Sequence, residues 1–146
     1  MSIASVLVLS GPNLALLGTR EPAVYGTETL SDHVARVEGI LAPAGIAVAS
    51  EHTDSESRMV QAIHEARGVH GALIINAGAF THYAWSVHDA LRSFPGPVIE
   101  VHLSNPAARE PFRHVSVLAP VVAGSVAGFG SLSYELAARA VLDLLR

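Results

Sequence analysis

Arg20 and Tyr25 are the pair of side chains in this sequence that most directly indicates chemistry. A free tyrosine has a pKa of about 10 and is therefore a poor base at neutral pH. A neighbouring guanidinium favours the phenolate, and arginine keeps its charge under all ordinary conditions. A tyrosinate base could then work with a histidine acid. Spacing alone leaves the alternative open that Tyr25 packs on its own loop and Arg20 faces solvent.

Composition narrows the chemistry that remains possible. All nine basic residues are arginine, and the chain contains neither lysine nor cysteine. These absences exclude Schiff-base chemistry, a P-loop lysine, a thiol nucleophile and cysteine-based metal clusters. His82 and His88 are six residues apart and do not share a helix face, and we expect no metal site. The net charge of -4, without a basic stripe, argues against general nucleic-acid binding.

The elements that must position these groups alternate between short apolar strands and longer helical patterns. The pattern predicts strands over 3–9, 46–50, 72–75, 98–101 and 121–123, and helices near 30–41, 55–66, 84–91 and 132–144, with a long loop over 10–29. Apolar strands separated by helices indicate a parallel sheet covered on both faces. We therefore predict an α/β fold of one domain over 1–146, a flavodoxin-like doubly wound sheet of five parallel strands.

Polar residues follow three of these strands, at the edge where such sheets bind ligands. Each alone could be a turn residue or a structural histidine, but their convergence on one edge favours a common site. After the first, third and fourth strands come, in turn, Asn13, Arg20 and Tyr25; Asn76 and His82; His102 and Arg113.

Other classes of protein share the predicted layout of strands and helices. A response-regulator receiver needs an aspartate after the third strand and a lysine, and the chain has neither there. A flavin- or nucleotide-binding module remains the second alternative, although the 11–18 loop is mostly aliphatic. The Gly128-Phe129-Gly130 segment lacks the third glycine of a dinucleotide fingerprint and predicts a turn or helix start. We expect His33, His52, His64 and His70 at the surface.

Two expectations concern the setting of the protein. Hydrophobic residues make up 50% and charged residues 15% of the chain, which favours an oligomer. The sequence shows no secretory signal, and its longest apolar stretch, 115–129, is interrupted by proline and glycines and is too short for a membrane helix. We therefore expect a cytoplasmic protein.

Several longer motifs then make the sequence resemble the type II 3-dehydroquinate dehydratases over essentially its full length. They are Ser10–Gly26 (SGPNLALLGTREPAVYG), Ile75–His82 (INAGAFTH), Asp89–Leu91, Glu100–Asn105 (EVHLSN) and Arg109–His114 (REPFRH). The resemblance implies a flavodoxin-like fold and the cofactor-free conversion of 3-dehydroquinate to 3-dehydroshikimate through an enolate, in the shikimate or quinate pathway. The unrelated family that performs the same dehydration forms an imine through a lysine, which this chain lacks.

The resemblance also implies catalytic roles. Tyr25 matches the base, and Arg20 matches the arginine that activates it from a mobile loop over about 12–28. Asn13 matches the residue that orients a water towards the enolate. His102 matches the general acid that protonates the leaving hydroxyl, and Glu100 matches the residue that orients it.

Substrate-binding and assembly roles are implied in the same way. Asn76, His82 and the backbone amides of Leu103 and Ser104 match groups that hold the substrate carboxylate and hydroxyls, and Arg113 matches an arginine that binds a ring hydroxyl. Asp89 resembles a residue that reaches a neighbouring subunit's site, and the family usually forms dodecamers as tetramers of trimers. Ala15, Ser57, Phe80 and Ser93 depart from the usual family pattern. A binding or scaffolding relative without turnover is the alternative, and the intact Arg20, Tyr25 and His102 set argues against it.

Overall fold

Five parallel strands form the centre of the molecule in the computed structural model, which describes residues 4–146. The strands are β1 (Ser5–Ser10), β2 (Ala47–His52), β3 (Ala72–Asn76), β4 (Val98–His102) and β5 (Gly124–Ala127). They lie side by side in the order β2-β1-β3-β4-β5, with every neighbouring pair parallel. This is the flavodoxin-like order, and it confirms the predicted α/β fold of a single domain.

Helices cover both faces of the sheet. They are α1 (Pro22–Tyr25), α2 (Leu30–Leu41), α3 (Glu56–Ala66), α4 (Trp85–Arg92) and α5 (Leu132–Leu144). Alternate residues of β1 point to opposite faces, so that Leu7 and Leu9 pack with α3 and α4 while Val6 and Val8 pack with α2 and α5. Because β1 and β3 are buried on both faces, they carry the near-continuous apolar runs from which they were predicted.

Local signals at the helix ends agree with the sequence. Thr29 caps α2 with a reciprocal capping box, in which the Thr29 hydroxyl accepts the Asp32 N–H and the Asp32 carboxylate accepts the Thr29 N–H. The Ser55 hydroxyl accepts the Arg58 N–H at the start of α3. Gly128 and Gly130 both adopt positive φ in the turn before α5. The turn predicted for this segment is therefore confirmed, and it needs no bound dinucleotide to explain its glycines.

The structure corrects three details. The fifth strand lies at Gly124–Ala127 rather than 121–123, because residues around Pro120 form a 3-10 turn, Ala119–Val121. β2 is an edge strand and is partly exposed, not covered on both faces. The 10–29 segment contains a 3-10 turn, Leu14–Leu16, as well as α1, and is not an irregular loop throughout.

His33 was expected at the surface and is buried instead. Its ring stacks on Tyr134 of α5, with 5.0 Å between ring centroids and 9° between planes. Burial lowers the pKa of His33. Neither ring nitrogen has a hydrogen-bond partner among residues 4–146.

Within the same residues, no helix is long and apolar enough to cross a membrane.

Candidate active site

A cavity of about 230 Å³ opens at the carboxyl edge of the sheet, where β1, β3 and β4 end. Nine of the eleven predicted site residues line it, so these nine lie close together. The nine are Asn13, Arg20, Tyr25, Asn76, His82, His102, Leu103, Ser104 and Arg113. Glu100 lies behind His102, and Asp89 lies away from the cavity.

The turn after β1 is shaped by close backbone approach. The Gly11 N–H donates to the Asn76 carbonyl at 2.8 Å, and a Cβ at Gly11 would lie 2.5 Å from the Ala77 carbonyl oxygen. Asn13 follows with a φ of 69°, and its N–H donates to Oδ1 of Asp54 at 2.9 Å. Only a glycine fits the first position, and the Asp54 carboxylate holds the second, so that Asn13 is placed at the cavity wall.

Tyr25 lies between two guanidinium groups. The Cζ of Arg20 is 4.8 Å and the Cζ of Arg109 is 5.2 Å from the centroid of its ring. Arg109 Nη2 also donates to the Tyr25 hydroxyl at 2.9 Å, while its Nη1 donates to Ser104 Oγ at 3.1 Å. Two positively charged groups therefore flank the Tyr25 ring, and one of them is hydrogen-bonded to its hydroxyl. Within residues 4–146, Arg109 is the residue that hydrogen-bonds the Tyr25 hydroxyl. The sequence pattern pointed to Arg20 and placed Arg109 in a motif without giving it a role.

His102 is paired with a buried carboxylate. Its Nε2 lies 2.6 Å from Oε2 of Glu100, whose side chain is almost entirely buried. Because a carboxylate accepts, Nε2 carries the proton in this contact and Nδ1 remains for the cavity, which His102 lines. The buried carboxylate thus fixes the orientation of the imidazole ring.

The orientation of the Asn76 amide is set by two contacts below the cavity. Its Oδ1 accepts the Gly78 N–H at 3.2 Å, and its Nδ2 donates to the Tyr134 hydroxyl at 3.1 Å. Tyr134 is fully buried, and burial raises its pKa to about 12, so that its hydroxyl stays neutral. Asn76 therefore keeps one amide hydrogen and one oxygen lone pair for a ligand. Tyr134 is a contact that the sequence patterns did not single out.

His82, Phe112 and Arg113 also line the cavity. His82 Nδ1 donates to the Val115 carbonyl at 2.7 Å, which leaves Nε2 available to accept or donate. Phe112 meets the His82 ring edge-on at 6.0 Å and is largely exposed. Arg113 Nε donates to Glu110 at 2.8 Å, and this bond lowers the pKa of the Glu110 carboxyl. The wall thus supplies polar and cationic groups suited to hydroxyls or a carboxylate.

Two of the positions that depart from the family pattern have structural explanations. Phe80 is buried under the 3-10 turn after β3 and contacts the Tyr83 ring edge-on, so it belongs to the core and not to the cavity wall. The Ser93 hydroxyl donates to the Ala90 carbonyl at the end of α4. No cluster of three or more metal-ligating side chains occurs within residues 4–146.

A doubly wound parallel sheet with a polar cavity at its carboxyl edge is typical of single-domain α/β enzymes, which bind their ligands at that edge. The comparisons with known proteins make the assignment specific. The family model described as "Dehydroquinase class II" matches residues 4–142. The chain belongs to the class II dehydroquinase family.

Individual relatives are similar over nearly their whole length. The chain is 51% identical to the 3-dehydroquinate dehydratase of Hyphomonas neptunium, covering 95% of this chain and 93% of that protein. It is 50% identical to the enzyme of the same name from Ruegeria pomeroyi, covering 92% and 91%. The crystal structure of type II dehydroquinase from Propionibacterium acnes superposes with a TM-score of 0.91 at 44% identity, covering 98% of this chain and 99% of that chain.

Proposed function

We propose that the protein catalyses the dehydration of 3-dehydroquinate to 3-dehydroshikimate, with Tyr25 as base and His102 as general acid. The observation that carries this mechanism is the Tyr25 hydroxyl held by Arg109 and flanked by Arg20, in the same cavity as the Glu100–His102 pair. Membership of the family supports the reaction, and the geometry supports the roles of the residues.

In the first step the Tyr25 phenolate removes a proton from the carbon beside the substrate ketone. The two guanidinium groups stabilise the phenolate before the step, and the electron pair of the broken C–H bond moves onto the ketone oxygen as an enolate. Asn13, fixed by Asp54, holds a water that donates to this oxygen. Stabilising charge where it develops is the largest contribution that such a site makes.

In the second step the enolate collapses and the hydroxyl two carbons from the ketone carbon departs. His102 delivers its Nδ1 proton to that hydroxyl, which leaves as water. Glu100 accepts from Nε2 throughout, so that the imidazole stays in one tautomer and one orientation. No cofactor and no metal enters this sequence of steps.

The remaining cavity groups hold the substrate in place. Asn76, His82 and the backbone amides of Leu103 and Ser104 bind its carboxylate and hydroxyls, and Arg113 binds a ring hydroxyl. The segment over about 12–28, which carries Arg20 and Tyr25, closes over the bound substrate as a mobile lid.

Assembly is a second part of the proposal. The Asp89 side chain on α4 is 79% exposed and does not line the cavity of its own chain. We assign it to a neighbouring subunit's site, in a dodecamer built as a tetramer of trimers. The exposed Trp85 at the start of the same helix supports burial of this face between subunits. Light scattering checks this assembly, and a monodisperse 15.2 kDa species would contradict it.

The activity test adds 3-dehydroquinate to the purified protein and follows the ultraviolet absorbance of the conjugated enone. Tyr25→Phe is expected to abolish turnover with an unchanged circular dichroism spectrum, because the ring packing stays and the base is lost. Tyr83→Phe is the matched control, since Tyr83 is exposed and outside the cavity, and it should keep full activity.

Absence of an absorbance rise with the wild type would refute the dehydratase and favour a binding or scaffolding relative. Retained activity in Tyr25→Phe would show that another group is the base. The pathway, shikimate synthesis or quinate breakdown, is tested by growth of a deletion strain on medium without aromatic amino acids or with quinate as carbon source. We place the enzyme in the cytoplasm, and fractionation of cells checks that placement.

A further inference from the structure

The hydroxyl of Ser116 connects the Glu100 carboxylate to a backbone turn. Ser116 Oγ lies 3.0 Å from Oε1 of Glu100, on the side of the carboxylate opposite to His102. The same oxygen accepts the N–H of Leu118 at 3.2 Å and the N–H of Ala119 at 3.0 Å. These two donors belong to the segment that enters the Ala119–Val121 turn, so the hydroxyl is held by backbone rather than by another flexible side chain.

The direction of each proton follows from these contacts. A serine hydroxyl has one proton and two acceptor lone pairs. Both lone pairs of Ser116 are used by backbone N–H groups, which can only donate. Its single proton is therefore left for Glu100, and Oε1 must accept it. Ser116 can therefore only donate to Glu100, and its hydroxyl holds Oε1 in one position.

The other oxygen of Glu100 is used in the same sense. Oε2 accepts from His102 Nε2 at 2.6 Å. Glu100 is 2% exposed, so water contributes little to its charge. A buried carboxylate is costly unless hydrogen-bond donors replace its hydration. Within residues 4–146, Ser116 and His102 are the two side chains that hydrogen-bond to it.

We infer that Ser116 is a positioning residue, which holds the Glu100 carboxylate against His102 so that His102 presents its Nδ1 proton to the leaving hydroxyl. The inference rests on the function proposed above. It adds to the acid machinery a residue that contacts neither substrate nor His102. Ser116 acts through Glu100 alone, so its effect should fall on the proton-transfer step and not on substrate binding.

The central experiment is a double-mutant cycle with 3-dehydroquinate as substrate. Ser116→Ala is expected to lower kcat about 10-fold, the effect of losing a hydrogen bond to a charged group, while KM changes less than about 2-fold. Ser116→Thr restores a hydroxyl donor and should recover most of kcat. In a Glu100→Gln background, Ser116→Ala should cost less than about 3-fold, because the charge that Ser116 holds is already absent.

A purely structural role for Ser116 in the turn predicts other results. Ser116→Ala would then lower kcat by the same factor in both backgrounds, or would raise KM, and either outcome overturns the inference. If Ser116→Ala does not fold, Ser116→Cys serves instead, because its thiol is close in size to the hydroxyl but is only a weak donor to Glu100. A wild-type kcat in Ser116→Cys would also overturn the inference.

A measurement without turnover separates this inference from the proposed function. The His102 Nε2–H proton, in its short bond to a carboxylate, should give a low-field proton resonance in the wild-type protein. Ser116→Ala should move that resonance and Ser116→Thr should return it. If Ser116→Ala moves the resonance but the wild-type protein does not dehydrate 3-dehydroquinate, the proposed function is refuted and the positioning role is kept. An unmoved resonance would refute the positioning role even if the enzyme is active.

Discussion

Removal of Arg109 is the most direct perturbation of Tyr25, the proposed base. Arg109 is the residue that donates to the Tyr25 hydroxyl, at 2.9 Å, whereas Arg20 lies against the ring, with its Cζ 4.8 Å from the centroid. The side chain is also held by Ser104 and is mostly buried, so its charge is poorly screened by solvent. We expect Arg109→Ala to lower kcat strongly and to leave residual activity, because Arg20 remains.

The size of the loss follows from the geometry. A hydrogen bond to a charged group contributes about 1.5–3 kcal/mol. At 1.36 kcal/mol for each factor of ten, this corresponds to a loss of about 10- to 150-fold in kcat. Coulomb attraction between two unit charges about 4 Å apart at an effective dielectric constant of about 20 is about 4 kcal/mol, which limits the effect from above.

Steady-state kinetics of Arg109→Ala, Arg109→Lys and Arg139→Ala test the reasoning. Lysine keeps the charge but cannot hold Tyr25 and Ser104 with two nitrogens, so its kcat should be intermediate. Arg139 is exposed on α5, and its removal should change nothing. The deficit of Arg109→Ala should narrow as the pH rises, because hydroxide then forms the phenolate without help. A kcat within about 2-fold of wild type would refute the role of this hydrogen bond, as would a deficit that is the same at every pH.

Three further changes have defined outcomes. Tyr134→Phe removes the acceptor of the Asn76 amide, and KM should rise about 5- to 10-fold with kcat nearly unchanged; an unchanged KM would show that Asn76 needs no such support. Burial lowers the pKa of His33 from 6.5, so the unfolded chain binds a proton that the folded protein does not. The contribution of His33 to the free energy of unfolding is therefore full above about pH 6.5 and is lost as the pH falls below that value. His33→Phe keeps the ring stack and should reduce this fall in urea denaturation between about pH 8 and pH 5, and an equal fall in both proteins would refute it. Gly11→Ala places a Cβ 2.5 Å from a carbonyl oxygen and should destabilise by about 1–3 kcal/mol, whereas Gly39→Ala in α2 meets nothing within 4 Å and should stabilise by about 0.5–1 kcal/mol. Thermal denaturation of the pair decides this, and equal shifts would contradict it.

The order of strands and the edge that carries the site could be predicted because they depend on local patterns. β1 and β3 are covered on both faces, so their apolar runs are continuous and easily recognised. The predicted position of β5 is wrong by about three residues. Val121 and Val122 are residue types typical of a strand, but Pro120 and Val121 lie in the 3-10 turn that precedes it. The element was found, and its boundary depended on a turn that apolar spacing does not encode.

Contacts between distant segments account for what the sequence did not predict. His33 occupies a position of α2 that looks like any polar surface position, and only the packing of α5 across it shows that it is buried. Arg109 and Tyr25 are far apart in the chain, and nothing in their spacing brings the guanidinium to the hydroxyl. Ser116 is a single polar residue in an otherwise apolar stretch. Its proposed role depends on the Glu100 carboxylate in β4, which the sequence pattern does not connect to it.

Nδ1 is the ring nitrogen of His102 that is left for the cavity, because Nε2 is bonded to the buried Glu100. On the proposed route, each turnover ends with Tyr25 protonated and His102 neutral, the reverse of the states in which it began. One proton must then pass from Tyr25 to His102, or be exchanged with solvent through the same opening that admits the substrate. On the solvent route, recovery is a separate step after product departure, and a product that leaves slowly also delays the recharging of the enzyme for the next cycle.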